Sequence, residues 1–531
     1  LSAPLALLRR YRSALVLVAL AAIVLAMVVV AYAARTTGHW WGDDWALYLR
    51  QAEGLLGRAG GPSSVIADNR FTVDNSPGSE FSPPLYPWGL PMLLAPFVAL
   101  LGDDLDRLMA VEVLSFAVFL VMWFRLARPR TGTVIALLGV GIFAMSPQYL
   151  RWTELIQSEL PYMAVAATAL VVLDRPATRR AWITPGASWW PLVWVGLAGA
   201  AVFTVRREGL ATVPAIAIGQ VAALGAWWWS ARPGRPDPLD WKPLLARLAL
   251  PHVVWLGAVG FLQLVLPSTL VPSYRGTGIG NVFEFASDHL GHVAESLGLK
   301  DVVTETPTVL GNAVAGWIAV AAFVVLTLGG LAWSIWRRPG ADLPIAVFGV
   351  VVLMIGGSFR FPGTRYVAMV APIALIFAGA AMRRLGERVA PPRVAQLVAG
   401  LLLSALLVGN VVRAADQVES ARLFESRDAV EWGPTATPAV DMFDAVVRIT
   451  EPDAVIGFFK ARAMTQRTDR RALQIGDRRP VADVVALLDY VVLERGDRQL
   501  ALVQGDPERY LQRWTNARFT LFEVLPPPSG N

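Results

Sequence analysis

Long apolar runs separated by short basic loops dominate the chain as far as about residue 412. A helix needs about 20 mostly apolar residues to cross a bilayer core. Residues 13–34 supply the first such run, preceded by Arg9, Arg10 and Arg12. Ten more follow at 105–127, 132–150, 157–173, 189–205, 210–230, 248–266, 309–336, 343–357, 365–382 and 394–412, so the pattern predicts about eleven transmembrane helices. Ala31-Tyr32-Ala33 has the small-residue form of a signal-peptidase site. The apolar run before it is long for a signal peptide, so an uncleaved anchor is expected. Residues 84–101 are apolar but open Pro-Leu-Tyr-Pro-Trp-Gly-Leu-Pro. They predict an interfacial or re-entrant helix with Tyr86 and Trp88 at headgroup level.

Loop charge orients this array. With the N-terminus in the cytoplasm, the inner loops become 125–130, 175–180, 232–247, 337–338 and 383–393, every one rich in Arg. The outer loops are less basic, apart from Arg206-Arg207 and Arg360 with Arg365. The positive-inside rule predicts that asymmetry, and an odd number of spans leaves the C-terminal segment outside. Beyond residue 412 long apolar runs stop and charge becomes frequent. Strand-like runs at 454–458 and 490–493 alternate with helical stretches at 440–449 and 482–488. The expected organisation is therefore an all-α polytopic membrane module over 1–413 and a small extracytoplasmic α/β domain over 414–531. The module has an external loop at 35–104 carrying interfacial helices and a long external loop at 267–308.

Composition agrees with lipid as the main solvent. Hydrophobic residues make up 55% of the chain and charged residues 17%, with a mean hydropathy of +0.49. Soluble proteins carry about a quarter charged residues. The net charge of +6 does not indicate nucleic acid, because many of the basic residues sit in short loops between spans. Nearly all are Arg, which with abundant Ala, Gly and Val suggests a GC-rich bacterial genome and hence a bacterial plasma membrane. No Cys is present, which removes thiol chemistry and disulfides. His289 and His292 are three apart, but without further ligands near them they read as solvated helix surface.

Candidate chemistry gathers at the outer ends of spans. Gly42-Asp43-Asp44-Trp45-Ala46-Leu47-Tyr48 follows the first span. Adjacent carboxylates repel unless a cation or a substrate charge offsets them. If the segment is helical, Asp44 and Tyr48 share a face, and Leu47, Leu55 and Leu56 form an apolar side suited to lying on the bilayer. Glu159 lies in Glu154-Leu155-Ile156-Gln157-Ser158-Glu159 at the outer end of the fourth span. An ionisable group at that boundary is a functional candidate by default. Arg206, Arg207, Arg360 and Arg365, the last followed by Tyr366, place positive charge on the outer side against the general trend. A divalent cation held by Asp43, Asp44 and Glu159 is a further option. No Walker loop or dinucleotide-binding glycine pattern occurs.

The order of these strings resembles the polytopic GT-C glycosyltransferases, the class of the protein O-mannosyltransferases and the lipid A aminoarabinose transferases. The likeness rests on Asp43-Asp44-Trp45-Ala46-Leu47-Tyr48-Leu49-Arg50-Gln51-Ala52, then on Ser82-Pro83-Pro84-Leu85-Tyr86-Pro87, and runs from Trp41 to about Gly209. Arg365-Tyr366 resembles a string found late in these enzymes. The resemblance implies transfer of a sugar from a polyprenyl-phosphate donor to an envelope glycan, lipid or protein, with inversion. Asp44, or Asp43 in another register, would be the general base and Glu159 the second acidic residue. Arg365, Arg360, Arg206, Arg207 and Tyr366 would bind the donor phosphate, and Tyr48 and Tyr86 would position the acceptor. Two departures stand out: Asp-Asp where many relatives have Asp-Glu, and Phe81-Ser82 where some carry a Lys. The competing readings are a flippase for lipid-linked sugars and a non-catalytic envelope-assembly protein. The assembly protein would tolerate loss of Asp44, Glu159 and Arg365 together, whereas the enzyme should not.

Overall fold

The computed structural model describes residues 2–36, 38–76, 85–184, 186–230, 241–270, 278–299, 313–359, 363–389, 392–425, 432–476 and 479–526. Each of the eleven apolar runs is mostly helical among these residues. Among the described residues, seven helices are long and apolar enough to cross a membrane, or eight if the bent pair Glu159–Asp174 and Pro176–Ile183 forms one span. Thr133–Ala144 and Trp190–Val205 are apolar but shorter, and Val370–Val389 carries Arg383, Arg384, Glu387 and Arg388 in its last turns.

These helices pack into one bundle. Ala110–Thr131 lies against Glu159–Asp174, Thr133–Ala144 and Val370–Val389, while Trp190–Val205 lies against Glu159–Asp174 and Trp241–Val265. An aromatic cluster of Phe116, Phe119, Trp123, Phe143 and Tyr149 fills the centre. Association within lipid depends on close packing rather than on the hydrophobic effect. Gly196 shows it: a Cβ there would meet the Pro251 carbonyl oxygen at 2.5 Å.

The segment after the first span folds into three helices, Asp44–Leu55, Gly61–Asn75 and Gly89–Leu101. The first does not lie on the bilayer as its apolar stripe predicts. Residues 45–52 and Gly54 are buried, with Leu47 in a protein core. Tyr86 and Trp88 are likewise buried within the protein. The expected re-entrant segment does form a helix, Gly89–Leu101. Its entry fits because Gly89 abuts the Thr204 backbone, where a Cβ would come within 2.6 Å.

The C-terminal segment forms a five-stranded sheet in the order β2-β1-β3-β5-β4. The strands are β1 (Val455–Phe458), β2 (Arg471–Gln474), β3 (Tyr490–Glu494), β4 (Tyr510–Thr515) and β5 (Phe519–Val524). β1 pairs in parallel with β2 and β3, and β5 runs antiparallel to β3 and β4. β1 and β3 fall on the two strand-like runs read from sequence. The helix expected at 482–488 is instead a pair of 3-10 turns, Val481–Asp483 and Val485–Leu487. Its Val residues favour helix weakly.

The sheet and the first loop share one hydrophobic core. Trp41, Trp45, Leu47, Leu90 and Leu94 pack in the same cluster as Phe443, Phe458 and Phe519. Polar bonds cross the same seam: Arg50 Nη2 donates to Asp469 at 2.6 Å, and Thr72 Oγ1 donates to the Ala472 carbonyl at 2.8 Å. The small domain and the first loop therefore lie at the same end of the bundle.

Candidate functional site

Asp44 is the first residue of its helix. There the exposed backbone N–H groups and the positive end of the helix dipole favour a carboxylate. Two side chains hold it. Tyr86, ahead of the Gly89–Leu101 helix, donates its hydroxyl to Asp44 Oδ1 at 2.5 Å. Arg365, in the 3-10 turn Thr364–Tyr366, donates Nη2–H to Asp44 Oδ2 at 2.8 Å. Burial alone would raise the Asp44 pKa, but the Arg365 charge and the hydrogen bonds from Tyr86 and Arg365 outweigh it and hold the group below the usual carboxylate range.

Arg365 also donates Nε–H to Glu159 Oε1 at 2.7 Å, so one guanidinium bridges the two carboxylates. Glu159 opens the Glu159–Asp174 helix with its side chain fully buried. Arg206 donates Nη1–H to the same Glu159 oxygen at 2.6 Å and Nη2–H to Glu208 at 2.7 Å. Arg206 stands where the Trp190–Val205 helix ends in an extended residue, so the chain doubles back at this level. Gly209 allows the tight return, since a Cβ there would meet the Val202 carbonyl carbon at 2.4 Å.

Aromatic and hydroxyl groups complete the wall. The Tyr48 and Tyr86 rings lie 4.5 Å apart, and Tyr48 donates its hydroxyl to Ser158 Oγ at 3.2 Å. Burial raises the Tyr48 pKa far above its ordinary value, which keeps the phenol a neutral donor. A recess is lined by Tyr48, Tyr86, Arg206, Arg207, Arg365 and Tyr366, together with Ser158, Glu208 and Phe359. It abuts an apolar groove between Trp88, Phe203, Leu262 and Leu270, and Arg207 and Pro87 line both.

The structure thus brings together Asp44, Glu159, Arg206, Arg365, Tyr366, Tyr48 and Tyr86, which span more than 300 positions in sequence. Arg207 edges the recess, but its Nη2 donates to the Thr269 carbonyl at 2.7 Å. Arg360, the Phe81-Ser82 position and residues 271–277 lie outside the described residues. Asp43 turns the other way, toward Arg462, Lys460 and Ala463 of the small domain. Burial raises its pKa to about 6, against the pull of those cations, and the neighbouring Asp44 adds to the rise.

The cation option meets an arginine. Arg365 occupies the gap between Asp44 and Glu159, and among the described residues no three His, Asp or Glu side chains converge as ligands. That donor set does not fit a divalent cation. His289 is buried and faces the Gly357 carbonyl rather than forming solvated surface. Glu154 is tied to Thr36 and Gln417, away from the recess. Sequence reasoning missed Ser158 and Glu208 as participants, although each adjoins or nearly adjoins a candidate. It missed Phe359 and Arg462 as well, and for Arg462 no local signal exists.

Residues 82–234, under a third of the chain, match the family model described as dolichyl-phosphate-mannose-protein mannosyltransferase. No curated protein matches in sequence. Among solved structures, the chain is similar to ArnT from Cupriavidus metallidurans bound to undecaprenyl phosphate, with a TM-score of 0.54 and 13% identity over 94% of this chain and 97% of that one. It is also similar to the archaeal oligosaccharyltransferase AglB from Archaeoglobus fulgidus, in complex with an inhibitory peptide and a dolichol-phosphate. There the TM-score is 0.50 and the identity 11%, over 90% of this chain and 69% of the other. At such identities the likeness is one of fold, and that fold is the GT-C glycosyltransferase fold which the sequence strings resemble.

Proposed function

We propose that this protein is a plasma-membrane glycosyltransferase that moves a sugar from a polyprenyl-phosphate donor to an envelope glycan, lipid or protein. The observation that carries the reading is the Arg365 bridge, a cation held by Asp44 on one side and by Glu159 on the other, beside a recess rich in Arg and Tyr. The donor phosphate takes Arg365, Arg206 and Arg207, whose planar forks suit phosphate oxygens. The polyprenyl chain takes the adjoining apolar groove.

The chemistry follows from the charges. The acceptor hydroxyl attacks the anomeric carbon and gives its proton to Asp44. The bond from that carbon to the phosphate oxygen breaks on the opposite face, and its electron pair leaves on the phosphate, so the configuration inverts. A base works best when its pKa approaches the operating pH. With Arg365 on it, Asp44 is held too acidic for that role. An incoming phosphate competes for Arg365, and loss of that contact raises the basicity of Asp44. Donor binding and activation of the base are thereby one event. Asp43 faces the small domain instead, which favours Asp44 as the base.

The shared core of the first loop and the small domain supports the orientation as well. Both must lie on one side of the bilayer, as an eleven-span array with a cytoplasmic N-terminus requires. On this reading the soluble unit beyond about residue 413 is extracytoplasmic.

The test is release of polyprenyl phosphate from a panel of polyprenyl-phosphate sugars by reconstituted protein, with envelope extract as the acceptor source. Release by wild type and none by Asp44→Asn is the expected result. Equal release by both would refute the base, and no release from any donor would refute the transferase reading.

A further inference from the structure

Arg462 of the small C-terminal domain reaches the site. It stands on the Ala461–Thr468 helix that follows β1 and is 5% exposed. Its Nη1 donates to the Tyr86 hydroxyl oxygen at 3.3 Å, and its guanidinium carbon lies 5.4 Å from the centre of the Tyr86 ring. Its Nε donates to Asn69 Oδ1 at 2.9 Å, which fixes the plane of the fork. Tyr86 in turn donates to Asp44 Oδ1 at 2.5 Å. The three groups form a chain with one polarity, from Arg462 through Tyr86 to Asp44.

That polarity has a chemical consequence. A guanidinium only donates, whereas a phenol carries one proton and can both donate and accept. With Arg462 supplying the hydrogen bond to the phenol oxygen, the single Tyr86 proton points at Asp44. We propose that Arg462 is a positioning residue for the base Asp44, acting through Tyr86, and that the C-terminal domain is therefore part of the catalytic unit. This rests on Asp44 being the base, as proposed above. The setting bears it out physically: hydrogen bonds in such a buried chain strengthen one another. The Arg462 charge also helps hold the Asp44 pKa down. Other charged or titratable groups facing Asp44 are Tyr48 on its own helix, Arg365 and Tyr366 from the 3-10 turn, Glu159 across Arg365, and Asp43 beside it with Lys460 behind.

The test uses the full chain in liposomes, with a polyprenyl-phosphate sugar that wild type turns over. Arg462→Ala should lower kcat about tenfold, the scale of one hydrogen bond to a charged group, and leave the donor KM unchanged. The acid limb of its pH–rate profile should move to higher pH, and Arg462→Lys should recover part of the rate. Added to Tyr86→Phe, Arg462→Ala should cost nothing more, because the two act in series. Multiplicative losses, or an unmoved acid limb, would overturn the relay. Activity that needs Asp44 but ignores Arg462 defeats this inference alone, whereas activity that ignores Asp44 defeats the base assignment. Infrared titration of the Asp44 carboxyl, assigned by its loss in Asp44→Asn, reads the relay without turnover. An upward shift in Arg462→Ala supports it, and an unmoved titration overturns it.

Discussion

Two buried arginine clusters cap the opposite ends of the Glu159–Asp174 helix, roughly 22 Å apart at 1.5 Å per residue. At one end Arg130 donates to Asp342 at 2.6 Å, to Asp174 at 2.9 Å, and to the carbonyls of Leu126 and Ala341. Its side chain is 1% exposed, as is that of Asp342. At the other end Arg365 bridges Asp44 and Glu159, yet keeps 32% of its side chain exposed beside the recess. Both clusters join distant helices through paired charge. What separates them is access: Arg130 is closed in by backbone and carboxylate, whereas Arg365 lines the recess. Buried charge by itself marks neither structure nor function.

The comparison can be broken at either end, and the largest effect is expected at Asp44. Asp44→Asn removes the proposed proton acceptor but keeps the shape, so transfer should fall by about two to four orders of magnitude, while the protein still folds and its melting temperature drops only by what the Arg365 pairing contributes. A turnover assay beside a thermal scan reads both. Arg130→Met should do the reverse. It strands Asp342 in a buried setting, while Asp174 keeps Arg179 at 2.9 Å, at a cost of about 3–5 kcal/mol in stability. Turnover per folded molecule should stay at the wild-type level. Lost turnover in that variant, measured on the folded fraction, would mean the two ends are coupled and the division into structural and chemical clusters is wrong.

Arg365→Ala comes next and sharpens the contrast. It removes charge-assisted hydrogen bonds from the proposed phosphate site, so donor kcat/KM should fall about 10- to 100-fold while acceptor KM holds. Equal losses in both affinities would count against a phosphate role for Arg365.

How far these contrasts were legible in the sequence differs by kind. Apolar length marked the membrane helices because a bilayer imposes it on every span locally. The strand-like runs marked β1 and β3, two neighbouring interior strands of the sheet, whose buried faces leave a continuous apolar signature. β4 alternates weakly and exposes several side chains, so it left none. Asp44, Glu159, Arg206 and Arg365 were legible because charge at a span boundary is costly. Their convergence was not, since nothing local relates positions 44, 159 and 365. The same limit hid Arg462, and it misassigned the Asp44–Leu55 helix to the bilayer, because an apolar stripe looks alike whether lipid or a folded domain covers it.

Asp43 gives the smallest effect and the finest contrast, since it differs from Asp44 by one position and by the direction it faces. Burial lifts the Asp43 pKa to about 6, above its ordinary value of 3.8, so folding favours its protonated form. Its contribution to stability is therefore full below about pH 4 and is lost as pH rises through about 6. Asp44 has the opposite sign. Its folded pKa lies below the ordinary value, so it stabilises the fold at neutral pH and loses that contribution as acid protonates it. Asp43→Asn should then raise the melting temperature at pH 7, with the gain shrinking to nothing near pH 4, and should leave transfer close to wild type. Thermal scans across that range decide it. A gain that persists at pH 4 would point to amide hydrogen bonds rather than relieved charge. A collapse of transfer would make the adjacent carboxylates a working pair, with the small domain's face of the first loop drawn into the chemistry.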